Sequence, residues 1–389
     1  MLTKVLNRVE AGKRLSLEDG VGLYRSNDVV GIGHMANLAR ERKNGDTAFY
    51  IVNRHINYSN ICKNRCRFCA FSRTKGEKGA FEMTMPEVLK RAEEGVKQGA
   101  TELHIVGGLH PELKFEFYLN MLRELSRRWP KVHLQAFTAV EIAHMADLAK
   151  LSVRETLAAL KEAGLGSIPG GGAEVFAPRV RRELCPEKLS PEGWLGVMRE
   201  AHALGIQSNA TMLYGHVETP EERVAHMLKL RELQDETGGF MTFIPLAFHP
   251  RNTPMAREAA QPYGDRANAV LAAVPHTGGT TAFLDLKTLA IGRLMLDNFE
   301  HVKSFWIMLG LKLAQVSLAF GVDDIDGTVV EEKIAHMAGA ETPETLGVGE
   351  LRRMIVEAGR RPVERNTIYQ RILRPSETAL SEDWTIAKG

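Results

Sequence analysis

Cys62, Cys66 and Cys69 stand in one short segment, C-KNR-C-RF-C, with three residues and then two between the thiols. Thiols so spaced can each hold one iron of a cubane 4Fe-4S cluster and leave the fourth iron without a protein ligand, which is a place for chemistry. A structural zinc site, or a set of buried structural cysteines, is the other reading. Zinc would want a fourth ligand close by, and structural zinc ligands come mostly as two close pairs. His55 lies upstream, but the segment is a three-thiol loop with an aromatic, Phe68, just before its last cysteine. The preceding run Phe49-Tyr50-Ile51-Val52-Asn53 is rich in β-formers, so the cysteines are expected on a loop that follows a strand.

Other reactive or permissive residues recur where strands are expected to end. Gly107-Gly108 in HIVGGLHP would let backbone groups approach a ligand with no Cβ in the way, or form an ordinary turn. Pro169-Gly170-Gly171-Gly172-Ala173-Glu174 is a second such turn, and its acid could bind ribose hydroxyls. Of Arg179, Arg181 and Arg182 one could make a two-pronged contact with a carboxylate, and the others would form a solvated helix face. Glu141 in AFTAVEI is either a site acid or a helix N-terminal acid favoured by the dipole. His249 and Arg251 in FHPRN could bind an anionic substrate, although a lone histidine there, or His110 in GGLHP, could equally be structural.

Strand-like runs at Leu103 to Val106, Val132 to Phe137, Gln207 to Leu213, Phe240 to Leu246 and Val302 to Trp306 alternate with helical ones, the pattern of parallel βα units. Helix starts are marked at Thr84, Ser152 and Thr219, each followed three residues on by a glutamate that can reach back. This alternation implies an α/β fold, a complete or nearly complete (βα)8 TIM-type barrel whose functional groups gather at the C-terminal strand ends. Residues 1–47 read as a helical N-terminal extension, 48–327 as the barrel and 328–389 as a C-terminal extension, also helical.

With 389 residues, 44% apolar and 25% charged, the chain can bury a large core. A net charge of +2 with interspersed signs points to no nucleic acid and no membrane surface, and leaves small molecules as the default partners. Four cysteines, three of them in one loop, exclude a disulfide framework and imply a reducing compartment, the cytoplasm; Cys185 reads as structural. The N-terminus MLTKVLNRVEAGKRL lacks the apolar core of a signal peptide. The apolar stretch Phe305 to Val322 carries Lys312 and Gln315 and reads as buried core elements, so no membrane anchor is expected.

The cysteine loop, with its aromatic before the third thiol, resembles that of the radical S-adenosylmethionine (SAM) superfamily. HINYSNICKNRCRFCAF, HIVGGLHPEL, LQAFTAVEI, IPGGGAEVF, TMLYGHVET, FIPLAFHPRNT and GRRPVERNTIY, spread over residues 48 to 370, together resemble the aminofutalosine synthase family of the futalosine route to menaquinone. Cyclic dehypoxanthinyl futalosine synthase and the radical enzyme that builds the deazaflavin F0 are near kin with the same cysteines.

The resemblance implies a 4Fe-4S cluster on Cys62, Cys66 and Cys69 and SAM as co-substrate. The cofactor-binding set is then Phe68, Gly107, Gly108, Glu141, Glu174, Arg181 and Leu213, with the glycine turn at the methionine amino group and an arginine at its carboxylate. The adenine-side pattern G-x-I-x-G-x-x-E departs here at its first glycine, which is Thr211. The implied reaction adds the 5'-deoxyadenosyl radical to the enol-ether double bond of 3-[(1-carboxyvinyl)oxy]benzoate. Rearrangement onto the ring and loss of the carboxyl carbon as bicarbonate would give aminofutalosine. The substrate's two carboxylates call for cationic or hydrogen-bonding groups, for which His249 and Arg251 stand ready. An electron donor such as flavodoxin or ferredoxin is implied as well. A protein that only transfers electrons would instead want four cysteine ligands and no glycine turns.

Overall fold

The computed structural model describes residues 2–259 and 279–374, so the end of the expected C-terminal extension lies outside the described residues. Three helices open the chain, at Leu2–Glu10, Leu17–Arg25 and Val29–Asn44. Ser16 and Asp19 form a reciprocal capping box on the second, and Asp28 caps the third by accepting from Gly31 N. The third packs along a later helix, Ala282–Met295.

Ten strands follow: β1 (Thr47–Ile51), β2 (Asn53–Ile56), β3 (Glu102–Ile105), β4 (His133–Ala136), β5 (Ser167–Ile168), β6 (Gln207–Tyr214), β7 (Phe240–Ala247), β8 (His301–Val302), β9 (Asp324–Gly327) and β10 (Arg361–Glu364). From β2 to β8 they form one parallel sheet in sequence order. Short as several are, their helix-facing residues such as Ile105, Ala136, Ile168, Ala210 and Phe243 are fully buried, and burial of these apolar groups holds the sheet to the surrounding helices. Closure comes from β9. Ser304 N donates to Asp324 O at 2.8 Å on the β8 side, and Phe49 N donates to Asp323 O at 2.7 Å on the β1 side. The result is a nearly complete barrel of the expected type.

Helix starts at Ser152 and Thr219 carry the anticipated boxes: Glu155 Oε2 accepts from Ser152 N at 2.8 Å, and Glu222 Oε2 accepts from Thr219 N at 2.8 Å. The strand expected at Val302 to Trp306 stops at Val302. Trp306 begins a short helix, Trp306–Leu309, and its indole donates to Gly327 O at 2.9 Å, which turns the chain off the sheet. The Phe305 to Val322 stretch is core, with Trp306, Ile307, Ala314, Leu318 and Val322 buried together. Among the described residues no helix is long and apolar enough to cross a membrane.

The C-terminal extension has the helices Ile334–Met337 and Val348–Glu357, and it adds a strand. β10 pairs with β1 in parallel, Thr47 opposite Arg361 and Tyr50 opposite Glu364. The buried Arg365 then pairs with Asp324 at 2.6 Å, tying this end of the chain to β9.

Candidate functional site

A cavity of about 320 Å³ runs from the loops at the C-terminal strand ends into the barrel. Cys62, Cys66, Phe68 and Cys69 line it, as do Gly107, Gly108, Glu141, Glu174, Leu213 and His249. The cysteine loop is pinned on three sides. Lys63 N donates to Leu109 O at 3.0 Å, Arg67 N to Leu184 O at 2.8 Å and Cys62 N to Arg73 O at 3.0 Å, while Cys69 N closes a turn on Cys66 O at 3.0 Å.

The donor set fits a cubane cluster. Three thiols of one loop line one cavity, and Cys185, although buried, does not. Burial pushes the Cys66 thiol up to about 12, so its thiolate needs a cation in the pocket, which iron would supply. Among the described residues no three His, Cys, Asp or Glu side chains group to hold one metal ion. A cubane offers each thiolate its own iron and needs no such convergence.

The glycine turn packs directly on this loop. A Cβ on Gly108 would sit 2.3 Å from Ile61 O, and one on Gly107 2.5 Å from the Tyr58 ring, so only glycine lets β3 end this close to the cysteines. Glu141 is buried, and its Oε1 accepts from Tyr58 Oη at 2.8 Å and from Gly107 N at 3.0 Å. Its Oε2 accepts from Thr138 N at 2.7 Å, closing the capping box of the helix Ala139–Ala149. The two readings of this acid therefore coincide: it caps a helix and it faces the cavity. Burial pushes its carboxyl up.

Glu174, at φ 49°, forms an ion pair with Lys188, whose Nζ lies 5.2 Å from the centre of the Phe68 ring. Arg181 does not line the cavity. Its buried guanidinium donates to Ala173 O at 3.0 Å and to Leu189 O, so it shapes the second glycine turn from behind. Arg179 pairs with Glu222 at 2.6 Å on the surface.

His249 Nε2 donates to Met308 O at 2.9 Å. Arg251, expected beside it at the substrate, is outside the cavity; its side chain is 67% exposed and paired with Glu341 of the C-terminal extension. Asn252 Nδ2 adds a bond to Met337 O at 2.8 Å, and this segment brings Glu332, Ile334, Ala335 and Ala338 over the cavity. His110 is structural: its Nδ1 accepts the amides of Glu112 and Leu113 at 3.1 and 3.2 Å, and its Nε2 meets Glu82 at 2.7 Å.

The cavity also holds groups that motif reading did not single out. His55, Glu102, His104, Gln135, Lys303 and Asp326 line its inner end. The His55 and His104 rings stack at 4.4 Å and 9°, one residue from each of two paired strands. The only sequence signal for the pair is the alternation of Glu102 and His104 with Leu103 and Ile105 in β3; β2 gives none, since Asn53, Arg54 and His55 are polar in succession.

Fold and site together define an iron-sulfur barrel enzyme that uses SAM. The radical SAM superfamily model matches residues 56–230, and the CofH/MqnC C-terminal region model matches residues 237–378. The chain is 48% identical to an aminodeoxyfutalosine synthase of Thermus thermophilus over 95% of this chain and 96% of that one. It is 45% identical to the aminodeoxyfutalosine synthase of Streptomyces coelicolor, over 95% and 93% of the two chains. It is 41% identical to a 5-amino-6-(D-ribitylamino)uracil–L-tyrosine 4-hydroxyphenyl transferase of Methanopyrus kandleri, over 86% and 87%. Among solved structures, methylornithine synthase matches with a TM-score of 0.70 at 16% identity, over 92% of this chain and 97% of that one. The FeFe-hydrogenase maturase HydG of Carboxydothermus hydrogenoformans matches with 0.69 at 17%, over 95% and 80%. These two bear on the fold alone. The chain belongs to the radical SAM family that contains the aminodeoxyfutalosine synthases, and its cofactors are a 4Fe-4S cluster and SAM.

Proposed function

We propose that this enzyme makes aminofutalosine from SAM and 3-[(1-carboxyvinyl)oxy]benzoate on the way to menaquinone. The observation that carries the reading is the near-full-length identity to two aminodeoxyfutalosine synthases. The shared cavity of thiols, glycine turn and polar inner end supports it. The cluster, when bound, supplies one electron that cleaves SAM to methionine and the 5'-deoxyadenosyl radical.

The protein's own groups do the rest of the positioning. Cys62, Cys66 and Cys69 would hold the cluster through three of its irons, leaving one to take the methionine end of SAM. Gly107 and Gly108 would form the wall at that end, and Glu141 fixes their turn through the Gly107 amide. Glu174, held by Lys188, and Leu213 would face the nucleoside. The segment around Glu332 to Ala338 covers the substrate and excludes water, and Arg251 with Glu341 fastens it. Carboxylate binding therefore passes from Arg251 to cations inside the cavity. In this reading residues 48–327 carry the site and 328–389 the cover. The electron comes from a flavodoxin or ferredoxin in the reducing cytoplasm.

Anaerobic reconstitution with SAM, dithionite and the enol-ether benzoate, followed by mass spectrometry of the nucleosides, tests this. Aminofutalosine is the expected product. Its absence from a cluster-loaded enzyme that still cleaves SAM would overturn the proposal in favour of the cyclase or F0-type chemistry of its kin.

A further inference from the structure

The cavity ends, inside the barrel, at a buried lysine. The Lys303 side chain is 8% exposed, and its ion-pair partner among the described residues is Asp326 at 3.4 Å, the weak end of hydrogen-bond geometry. An ammonium carries three donors, so at this distance from Asp326 it keeps donors for a ligand. Two further buried acids lie near enough to act on it: Asp324, which accepts from Arg365 at 2.6 Å and from Tyr369 Oη at 2.7 Å, and Glu102, which accepts weakly from Asn53 Nδ2 at 3.4 Å.

Depth decides which part of a ligand meets this lysine. Lys303 N donates to Phe243 O at 2.9 Å, part-way along β7, whereas the cavity mouth on that strand is at Phe248. Five residues at about 3.3 Å each, on a strand tilted by roughly 36°, place the Lys303 backbone roughly 13 Å below the mouth. The cysteine loop is at the mouth, so a carboxylate at Lys303 is one far from the reacting carbon. The walls between are aromatic: His55 stacks face to face on His104 at 4.4 Å, the Phe305 ring lies parallel to His55 at 6.4 Å, and all three line the cavity. Burial holds both histidines neutral, which leaves Lys303 as the cation of this end. Burial also pushes the Asp326 carboxyl up, which weakens its hold on the ammonium.

We propose that Lys303 is the specificity-determining anchor for the ring carboxylate of an aryl enol-ether dianion, whose ring passes beside the stacked His55, His104 and Phe305. The inference rests on the substrate reading above and adds which residue selects the benzoate.

The test is equilibrium binding, by calorimetry, to cluster-loaded protein without reductant. Two probes are compared, 3-[(1-carboxyvinyl)oxy]benzoate and 2-phenoxyacrylate, which lacks the ring carboxylate. The unaltered enzyme is expected to bind the first about 10- to 100-fold more tightly, the range of one charge-assisted contact. Lys303→Met should reduce the diacid to the affinity of phenoxyacrylate and leave phenoxyacrylate and the iron content little changed. Lys303→Gln gives the same reading should methionine there prevent folding, and Lys303→Arg should keep most of the preference. A full preference for the diacid in the uncharged variants overturns the anchor alone. Failure of the unaltered enzyme to bind the diacid overturns the substrate reading and the anchor with it.

Discussion

Glu141 Oε1 accepts the amide of Gly107 at 3.0 Å, so the acid that caps the helix after β4 also fixes the glycine turn after β3. The shape of this cavity wall, the one proposed for SAM, is thereby coupled to the start of a helix on the next βα unit.

Glu141→Ala should act on both at once. It leaves the Gly107 amide, the Tyr58 hydroxyl and the Thr138 amide without their acceptor, each buried orphan costing about 1–3 kcal/mol. The thermal unfolding midpoint should fall together with SAM affinity, and Glu141→Gln should lie between. Loss of SAM binding at an unchanged midpoint would make Glu141 a ligand contact and no more.

Replacing Cys62, Cys66 or Cys69 with Ala should remove the visible cluster absorbance and most of the iron, because each thiol is one of three ligands. Cys185→Ala should keep both, since Cys185 is buried off the cavity. Full iron content in any of the first three, or its loss in the fourth, would contradict the assignment.

Arg251→Ala should barely alter equilibrium binding of the substrate. Its partner Glu341 is 75% exposed, and such surface pairs change affinities by about fivefold or less. A larger loss, of the size expected for Lys303→Met, would return Arg251 to the carboxylate.

The cover over the cavity should be sensitive to alkali. His336 donates from both ring nitrogens, to Glu332 O at 2.6 Å and Thr342 O at 2.9 Å, and bonding to Glu332 raises its pKa to about 9. A group raised in the folded state gives its full stabilisation below its unfolded value near 6.5 and loses it as pH rises through about 9. The unfolding midpoint should therefore drop between pH 6.5 and 9, and drop less in His336→Asn. Equal pH slopes for the two proteins would refute this role of His336.

The features legible in the sequence are the local ones. Three cysteines, a glycine pair and a capping glutamate announce themselves within a few residues, because loop and cap geometry is set by near neighbours. Lys303, His104 and Glu102 do not, since Glu102 and His104 are polar residues within the short strand β3 and Lys303 just follows β8, and only closure of the barrel brings them together. Arg251 follows a strand end as expected, yet position along the chain does not fix the direction of a long side chain. Contact with Gly339 and Glu341 draws it outward. Arg181 is expected among the ligand groups, but the carbonyls of Ala173 and Leu189 take its donors. The strand Arg361–Glu364 pairs with residues more than three hundred positions earlier, a partnership no local pattern encodes.

The central claim is that the adenosyl radical adds to the substrate and does not abstract hydrogen from it. The direct measurement is turnover with SAM labelled in the adenine and ribose, the enol-ether benzoate present and the nucleosides resolved by mass spectrometry. The account predicts label in aminofutalosine, with its amount matching the methionine released. Label leaving only as 5'-deoxyadenosine would contradict it.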